Sequence, residues 1–109
     1  MRVVDYLKWN YDLQLDRNGY GESILTLNHD KCFLCDNVAV TRHEIVFGTA
    51  DRKKSKALGL WIPICAECHR EAHRNRKVID DLHVLAQQEC DKFYGDGVFF
   101  EVYGENYVD

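Results

Sequence analysis

Four of the five cysteines and three of the five histidines stand at spacings that suit metal chemistry. Cys32-x2-Cys35 and Cys65-x2-Cys68 are two matched pairs with 29 residues between them. A two-residue gap lets both sulfurs of a pair reach one ion, and two pairs complete a tetrahedron. An ion with four thiolate ligands has no open position, so this pattern predicts a structural zinc. It would tie the start of a strand to the start of a helix. Cys90 is left over, and on an apolar helical stripe it reads as a small core residue.

His69 and His73 are spaced i, i+4, which puts both imidazoles on one helix face, close enough to share an ion. His43-Glu44 lies near the end of the strand expected before that helix. A strand–loop–strand–helix unit would bring the strand end against the helix. An ion held there keeps positions open for water and a phosphate oxygen, the requirement of metal-assisted phosphodiester hydrolysis. His29 and His83 lack such neighbours and read as structural or exposed.

The elements that must position these groups can be sketched from periodicity. Residues 11–16 alternate with period two, residues 23–27 could form a second strand, and Arg17-Asn18-Gly19-Tyr20-Gly21 is turn chemistry, which together predict an N-terminal β-hairpin. Residues 42–47 predict one strand, and 48–58 a basic loop. Residues 60–64 predict a second strand, whose Pro63 suits an edge because it cannot donate a ladder bond. Cys65 to His73 opens a helix, and 78–93 predicts another, with Ile79, Leu82, Ala86, Cys90 and Phe93 on one stripe. The apolar tail 98–107 fits either a strand or a short helix.

The chain has 109 residues and a formal charge of −4. Between Arg42 and Lys77, nine basic residues face four acidic ones, giving +5 locally and −9 elsewhere. A phosphate backbone senses the local field more than the total. No apolar run reaches the length of a membrane helix. The N-terminus lacks a signal-peptide core, which points to a soluble, intracellular protein. In that setting, close cysteine pairs argue for metal and not disulfides.

The combination of Cys-x2-Cys, His43-Glu44-Ile45, and Leu60-Trp61-Ile62-Pro63-Ile64-Cys65-x2-Cys68-His69-x3-His73 resembles the zinc-containing HNH endonucleases, and more narrowly their small phage and prophage members. The stretches Phe47 to Ser55 with Gly59-Leu60, Ala86-Gln87, Tyr94-Gly95 and Phe100 to Tyr107 are similar to that group as well. The likeness covers roughly residues 32–107. It implies an α+β fold: a zinc-stapled ββα-metal (His-Me finger) module, here with an N-terminal hairpin extension over 1–31, a nuclease-like domain over 32–109, and a C-terminal helix.

The resemblance further implies a metal-dependent endonuclease that cuts DNA, with structural Zn2+ and a catalytic Mg2+ or other divalent ion, in the cytoplasm of a bacterial cell. By position, His43, His69 and His73 would hold the catalytic ion, and His43, Glu44 and His69 would carry the chemistry. Arg52, Lys53, Lys54, Lys56, Arg70, Arg74 and Arg76 would contact nucleic acid. The chain departs from the family in two places. Glu44 stands where a histidine is usual, which leaves open whether His43 or Glu44 is the base. Gly59-Leu60 stands where the family has an asparagine that braces the loop. The alternative is a non-catalytic module that binds nucleic acid or protein on the same scaffold.

Overall fold

The computed structural model describes residues 3–108. It is an α+β fold with α1 (Val3–Tyr11), β1 (Thr41–Glu44), α2 (Asp51–Leu58), β2 (Trp61–Ile64), α3 (Ala66–Arg74), α4 (Arg76–Tyr94) and α5 (Val98–Tyr103). β1 and β2 pair antiparallel, with Thr41 opposite Ile64, Arg42 opposite Pro63, His43 opposite Ile62 and Glu44 opposite Trp61. All four residues of β2 are buried, as a short continuous apolar run predicts. Pro63 has no N–H to give, but its carbonyl accepts from Phe33 N at 2.9 Å, so the cysteine knuckle closes the outer edge of β2.

The core forms where β2, the inner side of α2 and the apolar stripe of α4 meet, with Leu58, Leu60, Ile62, Ile64, Ala72, Ala86, Cys90 and Phe99 all fully buried. Cys90 is thus a core residue, as its place on the stripe suggests. The Cys65 side chain accepts from Cys68 N and caps α3. Asn75 caps α4 by accepting from the N–H groups of Lys77 and Val78, so one residue ends α3 and starts α4 at a new angle.

Two stretches differ from the sequence expectation, and a third, left open there, is settled. The N-terminal hairpin is absent: residues 3–11 form α1, and 12–30 run as an irregular strap. Val4, Leu7 and Tyr11 follow helical spacing and face the core, a pattern that the shorter period-two run at 11–16 obscures. The turn is where expected: Asp16 Oδ1 accepts from Asn18 N and Tyr20 N, and the Asp16 N–H donates to the Tyr20 carbonyl. The basic loop is in fact α2. Residues 51–58 contain no glycine or proline and are rich in Lys, Arg, Ala and Leu, all strong helix formers, with Asp51 in the first turn and Gly59 as a left-handed C-cap. The tail resolves as α5, held by the Asp91 carboxylate accepting from Phe99 N and by Tyr103 packing on Ser55.

The strap is fastened to the end of α2 and to β2. Gly21 N donates to the Lys56 carbonyl at 2.8 Å, Ile24 N to the Gly59 carbonyl at 3.0 Å, Trp61 Nε1 to the Gly21 carbonyl at 2.8 Å, and Ser23 Oγ to the Trp61 carbonyl at 2.8 Å. Backbones approach so closely that a Cβ on Gly59 would sit 2.1 Å from the Glu22 carbonyl oxygen, and Gly59 also has φ +78°. Gly59→Ala should therefore lower stability by roughly 3 kcal/mol, from left-handed strain plus overpacking. Gly97→Ala, also at positive φ but facing open space, should lose only about 1 kcal/mol. Urea denaturation of both variants checks this, and equal losses would show that the strap does not bear on Gly59.

Candidate metal centres and the cleft over the histidines

The two cysteine pairs converge. The sulfurs of Cys32, Cys35, Cys65 and Cys68 all lie within 4.8 Å of one another. Cys35 and Cys65 Sγ are 3.6 Å apart, close to the roughly 3.8 Å that a tetrahedron of ~2.3 Å Zn–S bonds requires. Local backbone turns aim them. The knuckle closes through Asp36 N donating to the Cys32 carbonyl, with Asp36 at φ +65°, and Cys65 sits at the N-cap of α3. Burial raises the pKa of the Cys32 thiol, but bonds from the backbone N–H groups of Cys65, Leu34 and Cys35 outweigh it and bring the pKa down to about 7. Burial and the crowd of neighbouring sulfurs push Cys68 far up instead. Four thiols in this space cannot all ionise without a cation among them. The donor set therefore fits zinc, which takes thiolates readily.

The second group is His43, His69 and His73, whose ligand nitrogens also lie within 4.8 Å of one another. Nε2 of His69 and His73 are 3.2 Å apart, near the roughly 3.3 Å expected for two nitrogens ~2.0 Å from one ion in a tetrahedron. The ring of His43 stands edge-on to both, at 5.2 and 4.9 Å between centroids. His43 is almost wholly buried, whereas His73 is exposed. Desolvation, with the other histidines adding to it, holds the His43 pKa down at about 3, and burial lowers His69 too. His43 and His69 are thus biased toward the neutral form that a metal needs. β1 and α3 bring them together because β2 leads directly into the cysteine-capped start of α3.

Glu44 is beside this cluster, buried, and bonded on both oxygens. Oε1 accepts from Arg52 Nε at 2.5 Å and Oε2 from Tyr20 Oη at 3.0 Å. A cleft of about 490 Å³ opens over the group, lined by Tyr20, Thr41, Arg42, His43, Glu44, Phe47, Gly48, Thr49, Arg52, His69 and His73. Arg42 crosses its rim between the rings of Tyr20 and Trp61, 4.3 and 4.7 Å from their centroids.

The seven basic residues expected at nucleic acid do not form one free patch. Arg52 pairs with Glu44, Arg74 with Glu71, Arg76 with Asp80, and Lys54 with Asp51. Lys54 also donates to the Val102 carbonyl at 3.1 Å, which ties it to α5. Lys56 lies over the Tyr20 ring. That leaves Lys53 and Arg70 as exposed cations that make no ion pair among the described residues. Arg70 flanks the histidines on α3, whereas Lys53 lines a hollow beside α1 and the turn of the strap. His29 rests on Trp61, and His83 stacks on Tyr107, so neither joins the metal groups.

No protein-family model, curated protein or solved structure matches the chain. Tyr20 is the site residue that sequence reasoning missed. It lies in a turn between two glycines, where nothing in the local pattern signals a long-range bond.

The geometry predicts one zinc per chain in freshly purified protein, measured by elemental analysis. Cys65→Ser should lose that zinc and the cooperative fold, because structural zinc contributes about 10–16 kcal/mol in small domains. His69→Ala should retain both. Zinc-free, fully folded parent protein would refute the assignment.

Proposed function

We propose that this protein is a metal-dependent HNH-type endonuclease that hydrolyses phosphodiester bonds of DNA. The observation that carries the reading is the convergence of His43, His69 and His73 beside a buried carboxylate, at the floor of an open cleft. An antiparallel strand pair connected through α2 and followed directly by the cysteine-capped helix α3 supports a ββα-metal unit around it. A divalent ion on the three imidazoles would supply Lewis-acid stabilisation of the charge that develops on the phosphate and the leaving oxygen.

The protein's own groups do the rest. His43, His69 and His73 supply nitrogen ligands, and the position of His43 against the α3 histidines favours a ligand role for it. Glu44 then accepts the proton of the attacking water. Thr41 and Thr49 offer hydroxyls at the cleft wall. Arg70 attracts the phosphate backbone without reading sequence. The competing reading, a non-catalytic binding module, draws on one observation: both Glu44 oxygens are already bonded in the free protein.

Nicking of supercoiled plasmid with Mn2+ or Mg2+, with an EDTA control, separates the two. The parent should nick, and His69→Ala should not, by a factor of at least about a hundred, while its zinc content stays at one. A parent that binds plasmid without nicking it under any divalent ion would favour the binding module. Removing the exposed cation beside the histidines, Arg70→Ala, should weaken DNA binding across sequences. It should flatten the log–log salt dependence by about 0.9, the loss of one phosphate contact. An unchanged slope in a salt titration would place the DNA on another face.

A further inference from the structure

We propose that Tyr20 and Arg52 are positioning residues that hold the Glu44 carboxylate beside the histidine cluster and off the metal. The proposal rests on the reading of the histidines as a metal site. It answers the question that the sequence leaves open, which of His43 and Glu44 is the ligand.

Neighbouring residues of a strand point to opposite faces. His43 faces α3, where its ring meets His69 and His73. Glu44 shares the other face with Arg42, and that face is covered by the strap. Tyr20 reaches it from residue 20 because the strap is fixed on both sides. Asp16 closes the turn before Tyr20, and Gly21 after it bonds both the Lys56 carbonyl and the Trp61 indole. The Tyr20 ring is wedged edge-on against Trp61, 5.7 Å between centroids, and beneath Arg42 and Lys56. Arg52 comes from the first turn of α2 and meets the second oxygen.

A carboxylate bonded on both oxygens, by a Tyr20 wedged in the strap and by Arg52 from α2, is held in one orientation. For Glu44 to ligate an ion on the histidines it would have to break one of these bonds. Burial and the Glu44 charge raise the Tyr20 phenol to about 12, so it remains a donor throughout the neutral range. Arg52 is therefore assigned a role inside the protein and not on DNA. The strap, which lies outside the nuclease-like likeness, becomes part of the site.

Cobalt reads the coordination directly. Protein with zinc on its cysteines is titrated with Co2+, and the visible d–d spectrum is recorded. In the parent, Glu44→Gln should leave the spectrum unchanged. In the double variant Tyr20→Phe with Arg52→Gln, the freed carboxylate should swing onto the metal, changing the spectrum and tightening Co2+ binding by roughly tenfold. Adding Glu44→Gln to that double variant should restore the parent spectrum. Tyr20→Phe alone, which keeps the ring stack, should lower kcat for nicking roughly tenfold with KM unchanged. Zinc content reports that each variant is folded.

A parent spectrum that shifts on Glu44→Gln would make Glu44 a ligand and overturn the proposal. So would a double variant indistinguishable from the parent. A parent that takes up no Co2+ overturns the histidine metal site itself, and the clamp with it, so the two failures are told apart.

Discussion

The knuckle at Cys32 and the first turn of α3 meet through four sulfurs, and the placement of both candidate centres follows from that meeting. Cys65 and Cys68 set the start of α3, and His69 is the next residue, so the rotation of the helix is decided before the histidines are reached. The i, i+4 spacing then carries His73 onto the same face. The knuckle also bonds the free edge of β2 through Phe33, which seats the strand pair that delivers His43. A small core alone would hold such a short sheet weakly, since a two-stranded ribbon is marginal in isolation. A metal held by the four cysteines would supply the rigidity that so short a ladder lacks.

A second constraint acts from the opposite side. The strap and the α2–β2 junction touch backbone to backbone at Gly21 and Gly59, and neither position has room for a side chain. Any side chain at 59 would meet the Glu22 carbonyl. The strap then braces the strand pair, through Ser23 on the Trp61 carbonyl and Tyr20 on Glu44. The absence of a side chain at Gly59 and the close seating of the strap are thus two sides of one packing arrangement.

What the sequence revealed tracks the range of the interactions involved. The cysteine and histidine sets were legible because metal geometry imposes short, fixed spacings. β2, α3 and α4 were legible from their apolar and helical patterns. α2 was readable in principle, through its helix formers and its Gly59 cap, but its dense charge imitates a solvated loop. The strap was not readable. Its bonds run from Tyr20 to Glu44 and from Gly21 to Trp61, across 24 and 40 positions, and no local pattern encodes such pairs. α1 falls between these cases, with three apolar residues at helical spacing against an alternating run that overlaps its end.

Charge shows the same dependence on context. A stretch with nine basic residues in sequence presents far fewer free cations once folded, because Arg52, Lys54, Arg74 and Arg76 each find an acidic partner. Most of these pairs are solvent-exposed and add little to stability. The Arg52–Glu44 pair differs, since the carboxylate is buried and would be poorly solvated alone. Its position decides what it does: the same guanidinium that steadies Glu44 also lines the cleft, beside the histidines. On the proposed endonuclease reading, a phosphate entering the cleft would meet a cation already committed to a carboxylate. Attraction from a distance would then fall to Arg70, and Arg52 would keep the carboxylate aligned.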